Sequence, residues 1–79
     1  MSNVTITGAR ECAGQSAAGT LAANDHRKKA IIIGGSSGGT VKFGNSTVAA
    51  TVAANANLTV DNFQGKIITT GDARVLEFT

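Results

Sequence analysis

Apolar residues recur at every second position over much of this chain. Val4 and Ile6 flank Thr5, Val41 and Phe43 flank Lys42, and Leu58 and Val60 flank Thr59. A period of two puts alternate side chains on opposite sides of an extended segment, so the pattern predicts half-buried β-strands. Residues 30–33 and 66–70 are short apolar or β-branched runs next to glycines and read as further strands. Residues 73–79 put Val75, Glu77 and Thr79 on one face and Leu76 and Phe78 on the other. Turn signals separate these runs at close spacing: Gly8, Gly14, Asn24-Asp25-His26, Gly44-Asn45, Asn55-Ala56-Asn57 and Gly71-Asp72. The expectation is an all-β chain of about six to eight short strands, a small antiparallel β-sandwich or barrel-like domain with little or no helix.

Two alanine-rich pieces, 16–23 and 47–54, have the composition of helix but not its pattern. Thr and Val interrupt them, Gly19 breaks the first, and neither carries Glu or Lys on a polar side; strand or extended edge is the better reading. The chain has no proline, which removes one device for blunting exposed sheet edges and leads us to expect an edge covered by a partner. No repeat or linker divides it, so residues 1–79 read as one β domain, with 1–15 as a loosely patterned N-terminal arm.

Composition sharpens this picture. A chain of 79 residues buries only about 60–65% of the surface its unfolded form exposes. Here the core is thinner still, with three aromatics (Phe43, Phe63 and Phe78) and thirteen alanines, each of which removes little area from water. Self-association would supply the missing burial. The formal net charge is +2, and the basic residues are scattered except for Arg27-Lys28-Lys29. That run reads as a solvated turn plus a structural ion pair, and nucleic-acid binding is not expected. Cys12 is the single cysteine, which excludes an intramolecular disulfide and a thiolate metal site of the usual four-ligand kind and leaves an intermolecular disulfide possible. There is no apolar stretch of membrane-spanning length and no basic flank followed by an apolar signal region, so a chain made in a reducing cytoplasm is expected.

Candidate chemistry begins with the glycine-rich segment that follows residues 30–33. Gly34-Gly35-Ser36-Ser37-Gly38-Gly39 has the G-x-x-x-x-G spacing of a phosphate loop, but Thr40-Val41 stands where Lys-[Ser/Thr] must be. The next residues alternate as a strand and not as the helix whose N-terminus would meet phosphate. The segment therefore reads as the tip of a β-hairpin joining residues 30–33 to 40–43, either mobile or ordered only by a neighbouring subunit, and shortening it should spare folding. His26 is the only histidine and sits in a polar turn, and Glu11, Asp25, Asp61, Asp72 and Glu77 show no ligand spacing. No enzyme, cofactor, metal or small-molecule ligand is expected.

One resemblance emerges from the order of segments. Leu21-Ala22-Ala23-Asn24-Asp25-His26-Arg27-Lys28, Ala30-Ile31-Ile32-Ile33, Thr40-Val41-Lys42-Phe43-Gly44 and Gly65-Lys66-Ile67 through Arg74-Val75-Leu76-Glu77-Phe78 together resemble a pattern in small structural proteins of tailed-bacteriophage virions. Capsid decoration or cement proteins and head-fibre type domains are the members in mind. Asn24 with Arg27 is its sharpest element. The sequence departs from the pattern in having Asp25-His26 where Pro is frequent and Gly34 where Asn is frequent.

The resemblance implies an antiparallel β-sandwich or barrel presented as an oligomer, with a homotrimer favoured. Its implied role is a capsid decoration or cement protein on the virion surface, bound across major capsid protein subunits. A tail, neck or fibre component is the alternative, and a small nucleic-acid-binding β-barrel a further one. Arg27 is expected to anchor a turn with Asn24, paired with Glu77 or Asp25. Contacts to the capsid are expected on the arm, at Val4, Ile6 and Arg10, and on the loop of Gly34, Gly35, Ser36, Ser37, Gly38 and Gly39.

Overall fold

The computed structural model describes residues 8–79. Its eight strands are β1 (Cys12–Gly14), β2 (Thr20–Leu21), β3 (Lys29–Ile33), β4 (Gly39–Phe43), β5 (Ala50–Val52), β6 (Asn57–Asp61), β7 (Ile67–Gly71) and β8 (Arg74–Phe78). They form two four-stranded sheets, ordered β1-β8-β3-β6 and β2-β7-β4-β5, with every neighbouring pair antiparallel. The sheets pack face to face: Ala30, Ile32 and Val75 from the first meet Val41, Val52 and Ile67 from the second, with Ala73 between β7 and β8. The fold is the all-β sandwich expected from the alternation, and no described residue is helical.

Side-chain faces follow from the period of two. In β8, Val75 and Glu77 point inward while Leu76 and Phe78 lie on the outer face beside β1 and β3. Ile31 lies on that outer face too, opposite Leu76, so β3 is apolar on both sides. An unbroken Ile31-Ile32-Ile33 run suits such a central strand. The alanine-rich pieces yield the short strands β2 and β5, which are the two edges of the second sheet; residues 16–19 run as bends. Within the span read as an arm, Cys12–Gly14 pair with β8, and the Arg10 and Glu11 N–H groups donate to the Thr79 carbonyl. The strand read at Val4 and Ile6 lies outside the described residues.

The hairpin reading of residues 30–43 is overturned. β3 lies in one sheet, flanked by β8 and β6, and β4 lies in the other, flanked by β7 and β5. The glycine-rich segment is therefore a crossing between sheets, and it packs against the rest of the chain at Gly34 and Gly38, which are buried. A Cβ on Gly34 would overlap the Ala53 carbonyl oxygen, and one on Gly38, at φ +73, would come within 2.6 Å of the Val52 carbonyl oxygen. Glycine lets the chain pass against its own backbone there. Three backbone hydrogen bonds stitch the crossing down: Gly34 N–H to the Ala56 carbonyl, Asn55 N–H to the Gly35 carbonyl and Asp72 N–H to the Gly38 carbonyl. For the same reason, shortening the segment is expected to harm folding, contrary to the sequence expectation.

Candidate functional site

The largest fully buried side chain belongs to Arg27, 1% exposed. It reaches its place through a turn at Asn24, whose Oδ1 accepts from the His26 N–H at 2.9 Å and whose carbonyl accepts from the Arg27 N–H at 3.1 Å. All five guanidinium donors find acceptors. Nε and Nη2 each lie 2.8 Å from Glu77 Oε2, Nη1 donates to the Phe63 and Gly65 carbonyls at 3.1 and 2.6 Å, and Nη2 also donates to the Ala22 carbonyl at 2.8 Å. Gln64 closes the assembly, its Nε2 donating to the Arg27 carbonyl and its own carbonyl accepting from the Asn24 N–H.

A planar fork with five donors can satisfy a carboxylate and three loop carbonyls at once, which a lysine could not. Asn24, Arg27 and Glu77 thus form one node joining the turn before β3, the loop after β6 and β8. Asp25 and His26 are exposed on the solvent side of that turn, and the partner of Arg27 is Glu77.

The basic run holds the structural ion pair expected of it, Arg27 with Glu77, and only Lys28 is solvated. Lys29 is buried too and makes a second ion pair, with Nζ 3.1 Å from Asp61 Oδ1. Sequence reading also missed two glutamines. Gln15 Oε1 accepts from the Val75 N–H of β8 and from the Thr69 hydroxyl of β7, so one side chain ties the two sheets together. Nothing in the local pattern marks either glutamine, because their partners lie 37 to 60 positions away.

The second cluster joins the β3–β4 crossing to the β7–β8 connection. Asp72 Oδ2 accepts from the Ser36 hydroxyl at 3.0 Å and from the Ser37 N–H at 3.1 Å. The Ser36 hydrogen bond foremost, then the Ser37 N–H, hold the Asp72 carboxyl below its ordinary value of 3.8, with the Arg74 charge adding to them. A carboxyl so depressed in the folded state stabilises the fold above its unfolded pKa, and that stabilisation is lost as pH falls through the folded value. Asp72→Asn is therefore expected to lower the urea midpoint at pH 7, with the gap to the wild type closing as pH drops below about 4. Denaturation series across that range check this, and a gap that stays constant to the acid limit would refute it.

The third feature is a groove. Phe43 and Phe63 meet edge to face, centroids 5.4 Å apart and planes at 82°. With Leu58, Thr59, Val60 and Asp61 of β6 they line an open cleft of about 480 Å³. Leu58 is 38% exposed there, so the sandwich is unsealed along this edge.

Of the residues expected at a contact surface, Arg10, Ser36 and Ser37 are exposed, Gly34 and Gly38 are buried, and Gly35 and Gly39 are half-buried. Val4 and Ile6 lie outside the described residues. Cys12 is a free, exposed thiol on β1, opposite Phe78. Among the described residues no three His, Cys, Asp or Glu side chains gather to hold a metal ion.

Compared with known protein families, with curated proteins and with solved structures, the chain matches none. What fold and site define is therefore a class by architecture: an antiparallel β-sandwich, with eight strands among the described residues, pinned by a buried arginine.

Proposed function

We propose that this chain is a non-enzymatic structural protein of a tailed-phage virion. In this reading it is made in the host cytoplasm and decorates the capsid, stabilising the head by binding across major capsid protein subunits as a homo-oligomer. One observation carries the reading: Asn24 and Arg27, the sharpest element of the resemblance, belong to one physical unit with Glu77, a further matched position. Asn24 and Arg27 come from one matched segment and Glu77 from another, 50 positions on, and they meet in a single hydrogen-bonded node around the buried Arg27. That separated parts of the pattern meet in space supports the reading, since they act together in holding the fold.

Mechanistically, a protein that binds only the assembled lattice lowers the free energy of that state by mass action, with no chemical step. A small sandwich, crossbraced by Arg27, Gln15 and Asp72, offers a surface dominated by Thr, Ser, Asn and Ala. The nucleic-acid alternative loses ground because Arg27 and Lys29 are buried in ion pairs, which leaves too few clustered cations to track a phosphate backbone.

The test is co-sedimentation of the purified chain with capsid shells lacking it. Saturable binding and a rise in the temperature at which shells rupture are expected. Binding to isolated tails and not to shells would shift the assignment to a tail or neck component, and binding to neither would overturn the reading.

A further inference from the structure

We infer that β6 is a self-pairing edge, through which two copies of this chain join their first sheets across a two-fold axis at Thr59. The inference does not depend on the virion reading. It begins with the four sheet edges, of which β1, β2 and β5 have only two or three residues, whereas β6 has five. Among the described residues β6 pairs on one side only, with β3. It carries no proline, lysine or bulge, and its one charged residue, Asp61, already faces Lys29. The usual devices against edge-to-edge association are missing.

The direction of the free backbone groups follows from the ladder. Gly34 N–H donates to the Ala56 carbonyl and Asn62 N–H to the Lys28 carbonyl. In an antiparallel pair this alternation turns residues 56, 58, 60 and 62 toward β3. Asn57, Thr59 and Asp61 therefore direct their N–H and C=O groups toward the open side.

The side chains of β6 are self-complementary in the antiparallel sense. Reading Asn57-Leu58-Thr59-Val60-Asp61 against itself reversed, a single register pairs all five residues. It sets Asn57 against Asp61 of the second copy, Leu58 against its Val60, and Thr59 against Thr59. That register makes hydrogen-bonded pairs at 57, 59 and 61, the residues whose backbone groups are open. The apolar pair at 58 and 60 becomes the closer, non-hydrogen-bonded one. An asparagine amide meets each carboxylate, threonines meet at the axis, and no like charges face each other.

Leu58 and Val60 lie on the core-facing side of the sheet, at the cleft walled by Phe43 and Phe63. The second copy's Leu58 and Val60 would continue that apolar strip and seal the open mouth of the sandwich. The symmetry is two-fold, in place of the trimer that the resemblance suggested.

Sedimentation of the full chain from micromolar to sub-millimolar concentration should show a reversible dimer. Thr59→Lys, whose side chain lies on the exposed outer face, places two ammonium groups opposite each other and should weaken dimerisation at least about tenfold. In a Cys12→Ser background, Thr59→Cys puts two thiols at a site where paired Cα atoms are about 5.5 Å apart, within the roughly 4.4–6.8 Å that a disulfide spans. Mild oxidation should then give a crosslinked dimer, while Asn57→Cys in the same background should give none. A chain that stays monomeric throughout, an oligomer indifferent to Thr59→Lys, or crosslinking at 57 in preference to 59 would each overturn the inference.

Discussion

Arg27→Ala is expected to leave the chain mostly unfolded at room temperature. Removing one partner of a buried ion pair costs about 3–5 kcal/mol, because the other charge is left without compensation. Here the loss extends further, since the Ala22, Phe63 and Gly65 carbonyls lose their donor and Glu77, only 12% exposed, loses its countercharge. Small domains have roughly 5–15 kcal/mol of total stability to lose, and a chain with so thin a core belongs near the lower end.

Arg27→Lys keeps the charge but has three donors where five are used, so it should recover part of the loss and no more. Urea denaturation followed by far-ultraviolet circular dichroism decides the matter. An Arg27→Ala variant within about 1 kcal/mol of the wild type would show that the node is dispensable.

Ile32→Ala is expected to have the second largest effect, about 2–5 kcal/mol for deleting a fully buried isoleucine and leaving a cavity. Ile32 is 0% exposed on the central strand β3, with Val75 and Leu58 as its cross-strand neighbours. Few large side chains surround it, and alanines such as Ala30 and Ala73 cannot move to fill the space. The contrast is Val48, which is 77% exposed, where Val48→Ala should fall within about 0.5 kcal/mol of the wild type. Paired thermal and urea melts check both, and equal effects at the two positions would show that the sandwich does not rest on this core.

Several elements were legible in the sequence because their cause is local. Residues 73–79 announce a strand with Val75 and Glu77 on one face, and that face is inward because Arg27 waits there for Glu77. The Asn24 turn was legible as well, since an asparagine side chain accepting from a backbone N–H two residues on is a short-range event. The glycine segment was misread for an equally physical reason. Two alternating runs joined by a flexible loop have the local form of a hairpin, and a period of two carries no information about which strand lies alongside which. The choice between a hairpin and a crossing rests on contacts of Gly34 and Gly38 with residues 52–54, far away in sequence.

By itself, the sequence determined an all-β chain, most of its strand positions though not β1, its turn at Asn24 and the poverty of its core, because alternation, turn chemistry and composition act over a few residues. Only the tertiary structure decided that, among the described strands, six of the seven connections pass from one sheet to the other, leaving β4–β5 as the one pair of consecutive strands that share a sheet. It also decided that Arg27 and Lys29 are buried ion-pair partners and that β6 is left as a five-residue open edge beside an apolar cleft. These outcomes depend on which distant backbone carbonyls, carboxylates and strands come together, and that is settled by packing across the whole molecule.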